Sequence, residues 1–487
     1  MKFSPNTKTT DCLTRRHFLQ NGAFSLAPLA VASLLQQEQT RAESAKPVLE
    51  FEQLSLASKE AHFAPRATAM ISLFMQGGPS HVDLLDPKVE LTRLDGKKFP
   101  GKLKYDDAGG ATTKILGSPW KFKPRGQCGT EVSELLPHLS GVVDELVVIR
   151  SMRTGVNNHS QSIHSMNSGR IQQGHPSLGS WITYGLGAET EQLPAFVAMT
   201  DPKGLPVEGV LNWSNGWLPS LYQGTVIRPR EPRILNLEAP TRLRGRTQRN
   251  YLDFLQRLNR EHVTEHADQG ELQARIANFE LAARMQTAAL TALDIRHETV
   301  ATHRLYGIDR KETQEYGTRC LIARRLIERG VRFVQLFTQN QYWDHHKKIV
   351  GDLPTACLKT DQPIAGLMVD LKQRGLLDST IVHWGGEMGR LPVIENDSGR
   401  DKIGRDHNTY GFSMWLAGGG CRAGCTYGNT DEFGHHAVEN PVNHFDYHAT
   451  LLHLLGLDSA GLTYQRNGQE DSLLSGHPGK VVTEILA

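Results

Sequence analysis

Carboxylates and histidines gather at five short places in this sequence. They are Gln76-Gly77-Gly78-Pro79-Ser80-His81-Val82-Asp83, Asn157-Asn158-His159-Ser160, Trp343-Asp344-His345-His346, Gly385-Gly386-Glu387-Met388-Gly389-Arg390 and Gly404-Arg405-Asp406-His407-Asn408. Carboxylate oxygen and neutral imidazole nitrogen are the donors of hydrolytic zinc, manganese or similar divalent sites. Arginines set opposite such donors suit a tetrahedral oxyanion. A single Asp-His pair at a strand end is more often a hydrogen-bonded loop anchor than a ligand, so recurrence carries the argument. Nine of the 21 histidines fall between His345 and His453, where an even spread would put about five. His345 and His346 are equal candidates by spacing. His435 and His436 read as loop residues and His453 as a helix residue. Asp446, between His444 and His448, reads first as an N-cap of the last helix.

These groups need strand ends to hold them. Short, nearly continuous apolar runs predict strands at Met70–Met75, Leu146–Arg150, Arg332–Phe337, Thr380–Trp384 and Phe412–Ala417, as buried parallel strands should read. Helical spacing covers much of Gln248–Gly330, then Leu358–Arg374 and Tyr447–Leu455. The alternation predicts an α/β fold, a mostly parallel sheet with helices on both faces. Residues 177–245 read as an elaborated loop region rich in Gly, Pro and Trp, and 246–330 as a helical segment. Ligands in such sheets gather beyond the carboxyl ends of the strands, and each donor cluster follows a predicted strand or precedes one.

The totals exclude several function classes. Among 487 residues, 54 Lys and Arg oppose 52 Asp and Glu, too balanced for the field that nucleic-acid binding requires. No apolar run reaches the length of a membrane span. Arg15-Arg16 precede the uncharged stretch Asn21–Leu35 and a small-residue site near Ala42, which resembles a twin-arginine export signal. The expected organisation is therefore a signal at 1–42, a linker at 43–66 and one domain at 67–487, with the mature protein in the periplasm or cell envelope. Removing residues 1–42 takes away five basic and two acidic residues and moves the formal charge from +2 to −1. Of the five cysteines that remain, Cys421 and Cys425 flank the turn-like Arg422-Ala423-Gly424, a spacing open either to a disulfide or to free thiols.

Taken together, the motifs resemble a large bacterial family, the domain of unknown function numbered 1501, grouped with the sulfatases in the alkaline-phosphatase-like superfamily. The resemblance runs from about Met70 to the C-terminus. Besides the five clusters it is carried by Val148-Ile149-Arg150-Ser151-Met152, Pro176-Ser177-Leu178-Gly179-Ser180-Trp181, Asp431-Glu432-Phe433-Gly434 and His448-Ala449-Thr450-Leu451-Leu452-His453-Leu454-Leu455-Gly456. It implies a three-layer α/β/α core, with helical and loop insertions, that holds one or two divalent ions, zinc, manganese or calcium. By position, one metal would rest on Asp344, His346 and His407, with Asp406 alongside. A second centre would use Glu387 and a residue after the first strand. The expected aspartate there is replaced by Gln76-Gly77-Gly78, which leaves Ser80, His81 or Asp83 as substitutes.

The chain also lacks the CxPxR or SxPxR segment that sulfatases convert to formylglycine; Cys320-Leu321-Ile322-Ala323-Arg324 comes nearest. The nucleophile expected in its place is His159 or Ser160, or a metal-activated water, with Arg390 or Arg405 steadying the transition-state charge. The resemblance thus implies an exported hydrolase of phosphate or sulfate esters, acting on a small molecule or a glycan and not of the formylglycine type. The alternative is a non-catalytic cell-envelope protein that binds glycan or a protein partner in a cleft edged by Trp213 and Trp217.

Overall fold

The computed structural model describes residues 54–104, 112–266, 269–395, 399 and 401–487, so the twin-arginine segment lies outside the described residues. Nine strands build the main sheet: β1 (Ala69–Phe74), β2 (Leu146–Arg153), β3 (Phe196–Met199), β4 (Thr225–Ile227), β5 (Phe333–Phe337), β6 (Thr380–Gly385), β7 (Phe412–Ala417), β8 (Cys425–Tyr427) and β9 (Val442–Asn443). Their order is β8-β2-β7-β6-β1-β5-β3-β4, with β9 also pairing with β2. In β1, Ile71 lies opposite Val334 of β5 and Val382 of β6, both parallel. Only β7 runs against the rest, antiparallel to both β2 and β6.

Strand side chains alternate between two apolar layers. Ile71 and Leu73 of β1 join Val334 and Leu336 on one face, under the helices α4 (Gly270–Leu293), α5 (Gln314–Ile327) and α6 (Ile349–Gln373). Met70 and Phe74 join Phe333 and Phe337 on the other, under α1 (His159–Ser168), α2 (Leu178–Leu186) and α7 (His444–Leu454). The fold is a three-layer α/β/α sandwich on a mostly parallel sheet. The remaining long helix, α3 (Arg246–Glu265), buries none of its residues.

Several expectations need correcting. Residues 177–245 are not simply loop: α2, β3 and β4 lie within them, and Phe196 packs on Phe333 with ring centroids 5.0 Å apart. Trp213 is buried in the core and so edges no cleft, whereas Trp217 is half-buried against Trp181 and Tyr464. The described part of the linker is docked, with Lys59 N donating to Leu186 O and Phe63 N to Gly456 O. α6 begins nine residues before the expected Leu358 and continues through Pro354 and Pro363, each of which removes one N–H from its hydrogen-bond ladder. The cap of α7 is Asn443, and Asp446 is its third residue, closing a capping box. Of the two states that the spacing left open for Cys421 and Cys425, the structure has free thiols.

Two histidines inside this fold carry no expected chemistry yet contribute to its acid sensitivity. His383 of β6 is buried, its Nδ1 3.0 Å from Ser72 Oγ, and His448 of α7 lies 2.8 Å from Met166 O through Nε2. Burial pushes His383 down to about 3 and His448 to about 4. Both are neutral in the folded chain at pH values where the unfolded chain already takes up protons. Stability from this source is therefore complete above about pH 6.5 and falls as pH drops toward 4, by about 1.4 kcal/mol per pH unit for each residue. Urea unfolding across pH 4.5–6.5 should show stability falling with pH, and His448→Gln should reduce that slope by about 1.4 kcal/mol per pH unit at most; an unchanged slope would contradict the assignment.

Candidate metal centre

The carboxyl ends of the parallel strands meet at one rim, and the chain brings four donors there. β2 ends at Arg153, and after a short loop His159 opens α1, whose start is fixed by Asn158 capping Gln161 N. The loop after β5 carries Asp344 and His346. Because β7 is antiparallel, its beginning lies on this same rim, so His407, just upstream of it, arrives beside them. One donor atom from each of His159, Asp344, His346 and His407 lies within 4.8 Å of all the others.

Each imidazole is turned by a second partner. His159 Nδ1 donates to Glu387 Oε1 at 2.6 Å, His346 Nδ1 to Glu395 Oε2 at 2.5 Å, and His407 Nδ1 to the Asn157 carbonyl at 2.9 Å. These partners only accept, so each Nδ1 carries its proton and each Nε2, turned toward Asp344, is the nitrogen left to take either a second proton or an ion. His346 Nε2 lies 3.0 Å from His407 Nε2 and 2.9 Å from Asp344 Oδ1, while His407 Nε2 is 3.4 Å from Asp344 Oδ1. His159 Nε2 is 3.4 Å from Asp344 Oδ2, within ion-pair reach but without hydrogen-bond alignment, and has no other polar partner among the described residues. Donors held about 2.0–2.2 Å from one tetrahedral ion stand roughly 3.3–3.6 Å apart. The residues present therefore fit a divalent cation, and the orphaned His159 Nε2 is the atom that shows it.

The electrostatics agree. Burial works to raise the Asp344 carboxyl, but the Arg390 guanidinium and the three imidazoles outweigh it and hold it well below the usual carboxylate range. Burial likewise lowers His159 and His346, yet their carboxylate neighbours push each up to about 9. His407, whose Nδ1 meets only a carbonyl, stays below its ordinary value because burial dominates. Two protons and one divalent cation are electrostatic alternatives at this place.

Other expected site residues take different parts. Glu387 is fully buried, accepting from Gly77 N at 2.9 Å as well as from His159, and so orients a donor rather than joining the four. Asp83 and Arg405 form a fully buried two-pronged ion pair, at 2.8 and 3.0 Å, with Ser80 Oγ donating to the same carboxylate. His81 spans between Gly434 O, 2.7 Å from its Nε2, and the Arg390 backbone. None of the three is placed to ligate, and Arg405 has no face left for an oxyanion. Arg390 is spent on the Gly77, Gly78 and Arg405 carbonyls and on Asp344 Oδ1 at 2.5 Å. Asp406 accepts from His407 N and lies 3.8 Å from His346 Nδ1, on the outer side of that ring with Glu395. Ser160 is half-buried one position past His159, pointing off the shared face. His345 is buried against Trp343 and is not among the four converging donors.

Glu395 and the Asn157 carbonyl are functional partners that sequence reasoning missed. Their one signal was position, Glu395 lying between the Glu387 and Asp406-His407 clusters. Two glycines make the close approach possible. A Cβ on Gly77, at φ +111°, would lie 2.6 Å from Asp344 N, and one on Gly404 would lie 2.1 Å from the His346 carbonyl carbon. Outer partners of ligating histidines typically govern 10- to 100-fold in metal affinity, so Glu395→Gln should weaken metal binding by about that factor, read by competition with a chromogenic chelator. An unchanged affinity would remove Glu395 from this role.

A cleft of about 980 Å3 lies between residues 231–238 and the end of α4, and none of the four donors lines it. No helix among the described residues is long and apolar enough to cross a membrane.

No curated protein sequence matches this chain. Among solved structures, the PsFucS1 sulfatase from Pseudoalteromonas sp. is similar at 11% identity and a TM-score of 0.35, covering 80% of this chain and 68% of its own. A protein in the alkaline phosphatase superfamily from Vibrio parahaemolyticus is similar at 12% identity and a TM-score of 0.36, covering 92% and 77%. The phosphonate monoester hydrolase from Silicibacter pomeroyi is similar at 11% identity and a TM-score of 0.32, covering 72% and 71%. The family model described as protein of unknown function (DUF1501) matches residues 67–486, and the chain belongs to that family.

Proposed function

We propose that this protein is an exported metal-dependent hydrolase of phosphate or sulfate esters, acting without a formylglycine. The observation that carries the reading is the convergence of His159, Asp344, His346 and His407, each imidazole already turned by its own acceptor. Three imidazole nitrogens and one carboxylate suit zinc best among the divalent candidates and do not suit calcium, which takes six to eight oxygens. An ion held there supplies Lewis acidity toward an ester oxygen and acidifies a water molecule.

The chain's own residues do the rest. His159, His346 and His407 give nitrogen donors whose orientation is fixed before any ligand arrives, and Asp344 brings the negative charge. Arg390 holds Asp344 against the Gly77-Gly78 turn. The first turn of α1 adjoins the cluster, and the positive end of its dipole favours an anionic ester. His346, with its side chain 27% exposed, is the donor that solvent and substrate reach. His159, read from sequence as a nucleophile, is a donor in this reading. Export rests on the Arg15-Arg16 segment.

A second reading is favoured by one observation. Four protein donors fill a tetrahedron, as structural zinc sites do, whereas catalytic sites keep a position open. That arrangement suits an envelope protein that holds metal without turnover. Elemental analysis of the mature protein together with aryl phosphate and aryl sulfate assays separates the two. One equivalent of metal with turnover supports the hydrolase, and metal without turnover on either ester class supports the second reading. Less than about 0.2 equivalents excludes both.

A further inference from the structure

The hairpin of α3 and α4 carries another gathering of donors, outside the proposed centre. His262, Glu265 and His266 stand at i, i+3 and i+4 around the last turn of α3, so they share one face of that helix. One donor atom from each lies within 4.8 Å of the other two, and the imidazole centroids are 4.6 Å apart. His262 and Glu265 are exposed and His266 is half-buried. Among the described residues, none of the three side chains has a hydrogen bond or ion pair that would account for the grouping. An imidazole pair four residues apart is how a single helix presents two nitrogens to zinc. The carboxyl end of a 20-residue helix, with its partial negative charge, favours a cation over any anion.

We propose that His262, Glu265 and His266 form a second, peripheral site for a divalent transition metal of the zinc, nickel or copper class. Imidazole donors exclude calcium and magnesium. Three donors on an open helix end leave coordination positions to water. The site therefore exchanges its metal readily, unlike four donors converging at a sheet rim.

The test uses the full chain purified without a histidine tag, stripped with a chelator and titrated with zinc sulfate by equilibrium dialysis. Two binding classes are expected, with the weaker filling between about 1 and 100 μM free zinc. His262→Ala with His266→Ala should abolish the weaker class, or weaken it at least about tenfold, and leave the tighter one unchanged. Because these residues are on the surface, an unchanged circular dichroism spectrum and melting point are expected to accompany the loss. Asp344→Asn should do the reverse, losing the tighter class and keeping the weaker, so failure of the central reading is distinguishable from failure of this one. A double variant whose weaker class superimposes on that of the unaltered chain, or an unaltered chain without a weaker class, overturns the proposal.

Discussion

Replacing Asp344 by asparagine is expected to drop bound metal below about 0.2 equivalents and to lower ester hydrolysis at least about a thousandfold. Asp344 is the one anion among the four converging donors and approaches all three imidazoles, at 2.9 to 3.4 Å. Asparagine keeps its shape and removes its charge, so the change isolates electrostatics from packing. It also leaves Arg390, which is fully buried, beside a neutral amide. Removing one partner of a buried pair costs about 3–5 kcal/mol, here reduced because Arg390 keeps three carbonyl acceptors. The discriminating readout is therefore linkage rather than stability alone. Zinc should raise the melting temperature of the unaltered chain and leave that of Asp344→Asn within error, since only a ligand bound to the folded state shifts the equilibrium. A variant that still binds a full equivalent tightly would place the metal elsewhere.

The second large effect separates structure from chemistry at Arg405. Its guanidinium and the Asp83 carboxylate are both wholly removed from solvent and meet through two hydrogen bonds. Arg405→Ala should cost about 3–5 kcal/mol of unfolding free energy, because a desolvated carboxylate is left without its cation. Asp83→Leu with Arg405→Met should recover most of that loss, since an apolar pair of similar volume avoids the desolvation cost altogether. Denaturant midpoints at constant slope measure both. The opposite pattern, a fall in kcat with stability intact, would return Arg405 to the oxyanion role that its position in the sequence suggested.

The contrast between these arginines and the donors shows what sequence can and cannot reveal. The five long strands are legible because each is nearly continuous in apolar residues, as burial on both faces demands. β3, β4 and α2 are not, since they are short and set among glycines and tryptophans whose order comes from packing across the sheet, as Phe196 does against Phe333. At the site, strand-end placement points to the rim but treats every carboxylate there alike. Asp83 and Asp344 look equivalent in sequence; one is neutralised by Arg405 and the other faces three imidazoles. Nor does spacing choose between His345 and His346, a choice made by which ring the loop turns toward Glu395. Glu395 itself carries no motif, because its role arises only when two loops cross at Gly404.

One consequence of the single antiparallel strand concerns time rather than space. β7 lies between β2 and β6, so the two parts of the sheet have no direct ladder until residues 412–417 are inserted. A nascent chain can emit His159, Asp344 and His346 well before it has the central strand that anchors His407 and brings the loops together. The four donors can therefore converge only after residues 412–417 have left the ribosome, and the proposed centre would take its ion afterwards, from whatever pool surrounds it at that moment. Were the chain exported already folded, as proposed, that pool would belong to the compartment of synthesis and not to the destination.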